Sequence, residues 1–152
     1  MDPSQRSQIF FREIFTVPTQ ERVRDLVAST GVGAFANRIV NAMAPGHLVA
    51  VLESICAREL QSYLDDSEDV VVAGSMQCRH LAPIPPGARV KISGWVTEVA
   101  DREATFCVQA SDEQEIVCEG QIRLTIVERS QIERRLQRKC EAIARRELFT
   151  NA

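Results

Sequence analysis

PGHLVAVLESICARELQSYLDD, residues Pro45 to Asp66, is the stretch that decides the fold. Leu48, Leu52, Ile55, Cys56, Leu60 and Tyr63 recur at spacings of three and four, the period of one helix face. Pro45 stands at or just before the first turn, where proline's missing N–H costs little. The helix is expected over Gly46–Leu64, and the acidic run at 65–69 (DDSED) ends it. Val49, Ala50 and Val51 lie off the main stripe. A helix apolar on more than one face needs cover on more than one side. A curved sheet wrapped around it supplies that cover.

Four strand-like segments follow. Val70–His80 opens with VVVAG and runs through SMQCRH. Ala82–Gly87 (APIPPG) is strong turn chemistry. Arg89–Ala100 alternates, with Val90, Ile92, Gly94 and Val96 on one face. Asp101–Arg102 leads into Glu103–Ser111, where Ala104, Phe106, Val108 and Ala110 share a side. Asp112–Gln114 turns the chain into Glu115–Val127, in which Gly120 marks a bulge or a close approach.

Upstream, Gln8–Val17 (QIFFREIFTV) reads as a strand that ends at Pro18. Val23–Ala28 is a weaker strand, Ser29–Phe35 a loop, and Asn37–Met43 a short helix or a second loop. At the other end, Ser130 and Glu133 form an S-x-x-E capping box. It opens a helix whose narrow apolar stripe is Ile132, Leu136, Cys140 and Ile143. The order predicts an α+β fold: one antiparallel sheet wrapped around one long central helix, plus a C-terminal helix. The division expected is a domain over 1–129 and a basic amphipathic helix over 130–152.

The totals agree. A chain of 152 residues, 45% hydrophobic and 26% charged, is one globular domain of ordinary size. Its net charge of -3 does not advertise a nucleic-acid partner. From Ser130 onward there are six basic and three acidic residues. That excess reads first as a solvated helix face and second as a grip for an anionic group such as a nucleotide phosphate. The five cysteines include no CxxC pair and are odd in number, so neither a disulfide framework nor a zinc site is expected. They read as small buried hydrophobes in a reducing compartment, which places the chain in the cytoplasm. Residues 1–10 lack the apolar core of a signal peptide, and no run of about 18 apolar residues suggests a membrane partner.

Two segments carry a resemblance. They are Pro45–Asp66, quoted above, and GSMQCRHLAPIPPGARVKISGWVTEV, Gly74–Val99. Together they resemble the fluoroacetyl-CoA thioesterase-like branch of the hot-dog superfamily. That branch carries a glutamate on the central helix and a histidine that ends the next strand before an xPPG turn. Glu53 and His80 fall on those positions. The likeness spans roughly Phe10 to Val127 and is strongest from Pro45 to Val99. It implies a hot-dog fold and an acyl-CoA thioester substrate. It also implies a homodimer or larger homo-oligomer with pockets between subunits. No cofactor is implied beyond the coenzyme A of the substrate, and no metal. There is one departure: Pro45 stands where the family pattern has a threonine, eight residues before the glutamate. Proline can neither attack a thioester nor orient water, so fluoroacetyl specificity is not expected. Arg123 lies near the family's last-strand arginine, although the ungapped match falls on Leu124.

Thioester hydrolysis needs an activated water or nucleophile, donors for the oxyanion and a grip on the CoA. Glu53, on a mostly apolar helix, is the candidate general base. His80, held between a strand and a rigid turn, is its acid–base partner. The backbone N–H groups of Gly46 and His47 open the helix and are candidate oxyanion donors. Arg79, Arg89, Lys91 and Arg123 are candidate CoA contacts. Phe35, in an apolar stretch with Val32, Ile39, Val40 and Met43, suits a small or medium acyl group. Ser54 has no G-x-S-x-G setting, and no Gly-rich phosphate loop is present. Three other readings remain at this point. One is a non-catalytic acyl-CoA-binding or sensing protein. Another is a hot-dog hydratase or dehydratase, for which the usual Asp-x5-His is missing. The last is a dimerisation protein with a basic tail.

Overall fold

The computed structural model describes residues 9–18, 41–64 and 68–150. Its elements run β1 (Phe10–Thr16), α1 (Pro45–Gln61), β2 (Asp69–His80), β3 (Arg89–Ala100), β4 (Glu103–Ser111), β5 (Ile116–Glu128) and α2 (Arg129–Thr150). Phe35, the weak strand Val23–Ala28 and the loop Ser29–Phe35 lie outside the described residues, as does most of Asn37–Met43.

The strands form one five-stranded sheet in the order β1-β3-β4-β5-β2, and every pairing is antiparallel. The strict alternation of β3 and β4 puts Val90, Ile92, Ala104, Phe106, Val108 and Ala110 on one buried face. The stripe of α1 meets that face with Leu48, Leu52, Ile55, Cys56 and Leu60, all buried. Burying each leucine contributes about 1.5–3 kcal/mol, so this interface is the core. It matches the expected sheet wrapped around one helix.

The segment after β2 ties the molecule together at one end. Ala88 N–H closes a turn on Pro85 O at 3.2 Å. Pro86 and Gly87 are its central residues, and the turn needs a positive φ at the second, where Gly87 has +83°. Gly87 N–H reaches Val17 O at the end of β1, and Met43 N–H, two residues before α1, reaches Ile84 O at 2.8 Å. The start of α1 and the exit from β2 are thereby held side by side.

Two boundaries differ from the sequence reading. α1 ends at Gln61 instead of Leu64, with Ser62 as its cap and the Gln61 side chain bonded to β2. The Ser130–Glu133 capping box does not form. α2 already begins at Arg129, and the Ser130 hydroxyl donates to Glu128 Oε1 at 2.5 Å. Beyond this junction α2 leaves the body: its side chains from Glu133 to Arg146 are exposed. Among the described residues, no helix is long and apolar enough to cross a membrane.

Candidate active site

Cys56 of α1 lies near Cys78 of β2, and Glu53 stands about one turn before it on the helix. A bulge between Ala73 and Ser75 sets which β2 side chains meet α1. Ala73 packs on the core before the bulge and Cys78 after it. Alternation then puts Met76, Cys78 and His80 on the same helix-facing side. His80 lies opposite Cys118, and Cys78 lies opposite Gly120.

The helix and the strand approach each other in order. Gln61, at the helix end, bonds Asp69 and Val71 at the start of β2. Further back, burial pushes the Cys56 thiol up to about 12, with the nearby Cys78 adding to it. Glu53 lies one more turn towards the helix start, and His80 two residues further along β2. Both positions therefore lie towards the end where Met43 and Ile84 are joined. Glu53 is half-buried and His80 exposed. Among the described residues, no hydrogen bond links the two within one chain.

The two candidate oxyanion donors separate. The residue before the helix, Ala44, offers no side-chain cap, and Pro45 has no N–H. His47 N–H is already bonded to Ala44 O at 2.9 Å. Gly46 N–H, exposed at the first turn, has no acceptor among the described residues. The His47 ring lies on the other flank of α1, in a groove of about 370 Å³ shared with Glu13, Phe15, Ala50, Val51 and Ser54. It meets Phe15 edge-on at 6.0 Å, and its Nδ1 is buried without a hydrogen bond. The Ser54 hydroxyl bonds back to Ala50 O at 2.7 Å, as serines in helices do.

The candidate CoA contacts are also dispersed. Arg79 lies on the outer face of the sheet with Gln77, Trp95 and Cys107, paired to Glu119 at 2.7 Å. Arg123 shares that face and lies 4.0 Å from Glu103. Both therefore project away from Glu53 and His80. Arg89 opens β3 at the rim, in a groove with Pro85, Ala88 and Asp112, and has no ion-pair partner among the described residues. Lys91 is exposed on β3.

The sequence reading missed the surroundings of His80. His80 lies opposite buried Cys118, whose thiol burial pushes up to about 11, with Cys78 contributing. The signal was hidden because the bulge reverses the alternation halfway along β2. Gln61 was also missed, since a lone glutamine at a helix end carries no sequence signature. Among the described residues, no cluster of three or more His, Cys, Asp or Glu side chains is arranged to hold a metal.

Residues 27–130 match the sequence model of a family described as fluoroacetyl-CoA-specific thioesterase, FlK. The solved structure of the fluoroacetyl-CoA thioesterase FlK is similar with a TM-score of 0.77 at 22% identity, covering 86% of this chain and 94% of that one. A hot-dog-like protein from Thermanaerovibrio acidaminovorans gives 0.73 at 19% identity, covering 91% and 97%. A thioesterase superfamily member from Thermus thermophilus gives 0.69 at 20% identity, covering 90% and 97%. These likenesses show a hot-dog fold. No curated protein sequence gives a significant match.

Proposed function

The chain belongs to the fluoroacetyl-CoA-specific thioesterase family, and from that premise we propose that it hydrolyses a small or medium acyl-CoA thioester with Glu53 and His80. The observation that supports this reading is that α1 runs against β2, with Gln61 bonded to Asp69 and Val71 and Cys56 near Cys78. The two family positions, Glu53 and His80, lie one step further along each element, on the side of the helix start and its free Gly46 N–H.

The chemistry follows from those groups. Water attacks the thioester carbonyl while Glu53 takes its proton, forming the new C–O bond. The oxyanion is met by Gly46 N–H and the positive end of the α1 dipole. The C–S bond then breaks, and His80 delivers a proton to the departing CoA sulfur. Products are the free acid and CoA thiol. Arg89, unpaired at the rim, is the cation best placed to hold a CoA phosphate. Arg79 and Arg123 are engaged on the outer face.

We place this site at a subunit boundary. β2 is a 12-residue strand at one edge of the sheet, and His80 lies at its end. An unpaired edge of that length invites a second strand. The other edge, β1, has only seven residues, and Arg58 of α1 reaches across to Glu13 there. A second copy pairing along β2 would continue the sheet past this edge and put a second α1 and β2 next to the first.

A second reading is favoured by Pro45. It is the first residue of α1, where the family pattern has threonine, and a chain without that hydroxyl could hold acyl-CoA without cleaving it. Thiol release from a panel of acyl-CoAs, run beside binding titrations, separates the two. Turnover on short or medium chains supports the hydrolase. Saturable binding with no thiol released supports a sensor.

A further inference from the structure

The outer edge of β2 is not uniformly open. Gln61 Nε2 donates to Asp69 O at 3.0 Å, and Val71 N–H donates to Gln61 Oε1 at 3.1 Å. One side-chain amide thus takes a C=O and an N–H two residues apart, as a peptide group of a neighbouring strand would. Both groups face away from β5: Val71 is opposite Ile126, whose own N–H is spent on Arg102 O. Beyond the bulge the outward set changes. Leu81 N–H points inward to Val117 O, so alternation turns the backbones of Met76, Cys78 and His80 outward. The edge is therefore closed at Asp69–Val71 and open from Ala73 to His80.

We propose that Gln61 is a built-in stop on the β2 edge that sets where a second copy of the chain pairs. The proposal rests on the subunit boundary placed above and adds its register. A partner strand entering antiparallel cannot use Asp69 and Val71, so twofold pairing is confined to Ala73–His80. Outward groups must face outward groups, so the axis falls at Gln77, with Met76 opposite Cys78 of the second copy and His80 opposite its bulge at Ala73–Ser75. A partner sliding towards Asp69 would move its His80 off this position and past the start of β2. Gln61 is in this sense a positioning residue for the site: it touches no substrate and acts through the strand that carries His80.

Residue-resolved amide hydrogen exchange on the full chain, at low and high protein concentration, tests this. In wild type, Val71 should be equally protected at both concentrations, while Met76, Cys78 and His80 gain protection only at the higher one. In Gln61→Met, which keeps the bulk and loses both bonds, Val71 should exchange about fivefold faster or more when dilute and recover on association. Gln61→Ala should behave the same way. If Met76, Cys78 and His80 gain protection with concentration but Val71 ignores both substitutions, the subunit boundary stands and the stop is overturned. If those three exchange fast at every concentration, no second copy adds at this edge, and the boundary falls with the proposal.

Discussion

Gly120 shows how a single position is fixed. A β-carbon there would sit 2.3 Å from Gln77 O and 2.9 Å from the Cys78 sulfur. The backbone oxygen cannot swing aside, so Gly120→Ala should destabilise the fold by about 1–3 kcal/mol, read as a lower urea midpoint. The sequence reading offered a bulge or a close approach at Gly120, and the close approach is the one found; the bulge lies at Gly74 on the partner strand. The thiols give a second residue-scale expectation. An unfolded thiol loses its proton near 9.0, whereas folded Cys56 keeps its proton to about 12 because burial disfavours the thiolate. The stability this contributes is complete below pH 9 and is lost as pH climbs from 9 towards 12. Melting temperatures across that window should fall in wild type and fall less steeply in Cys56→Ala. Glu53 and His80 became candidates only because a family pattern named them. Composition does not distinguish Glu53 from any half-buried helix carboxylate.

Among the elements, those with unbroken periodicity were legible. The stripe of α1, the alternation of β4 and that of β3 as far as Val96 appear in the structure as they read in the sequence, because burial enforces one phase; β3 then shifts at a bulge between Val96 and Glu98, after which Val99 packs on the core. β2 could be recognised as a strand but its faces could not, since the bulge shifts the phase where the polar residues begin. α2 could be recognised as a helix but its start could not. Glu128 captures the Ser130 hydroxyl and the Gln131 amide, so the capping box has no serine to use. α2 also keeps few ties to the body: Arg129 N–H reaches Glu68 O at 2.7 Å, and the apolar Leu136 and Ile143 remain more than half exposed. Deleting residues 130–152 should therefore leave thiol release within about twofold of the full chain, since exposed surface contributes little to a fold. A loss greater than tenfold would instead assign α2 to the site.

For the whole molecule, the fold class was legible and the strand order was not. Periodicity says which face of a strand is buried but not which strand lies beside it. β2 crosses over α1 to lie beside β5 rather than its sequence neighbour β3. That placement makes β2 an edge and leaves His80 at the open end of it. The proposed subunit boundary rests on it and has its own test. Glu53→Ala and His80→Ala chains, each inactive alone, are mixed and allowed to exchange subunits. If one site draws Glu53 from one chain and His80 from the other, half the dimers are mixed and each holds one intact site. Activity should then recover to about a quarter of wild type. No recovery, with exchange verified, would place both residues in one chain's site.

The direct measurement for the acyl-CoA site itself is steady-state release of CoA thiol by wild type, Glu53→Gln and His80→Ala, each checked for folding by circular dichroism. Wild type should turn over at least one short or medium acyl-CoA. Each variant should lose about 10²–10⁴-fold in kcat, the usual weight of a general acid or base, with KM little changed. Equal rates in all three proteins would contradict the assignment of Glu53 and His80.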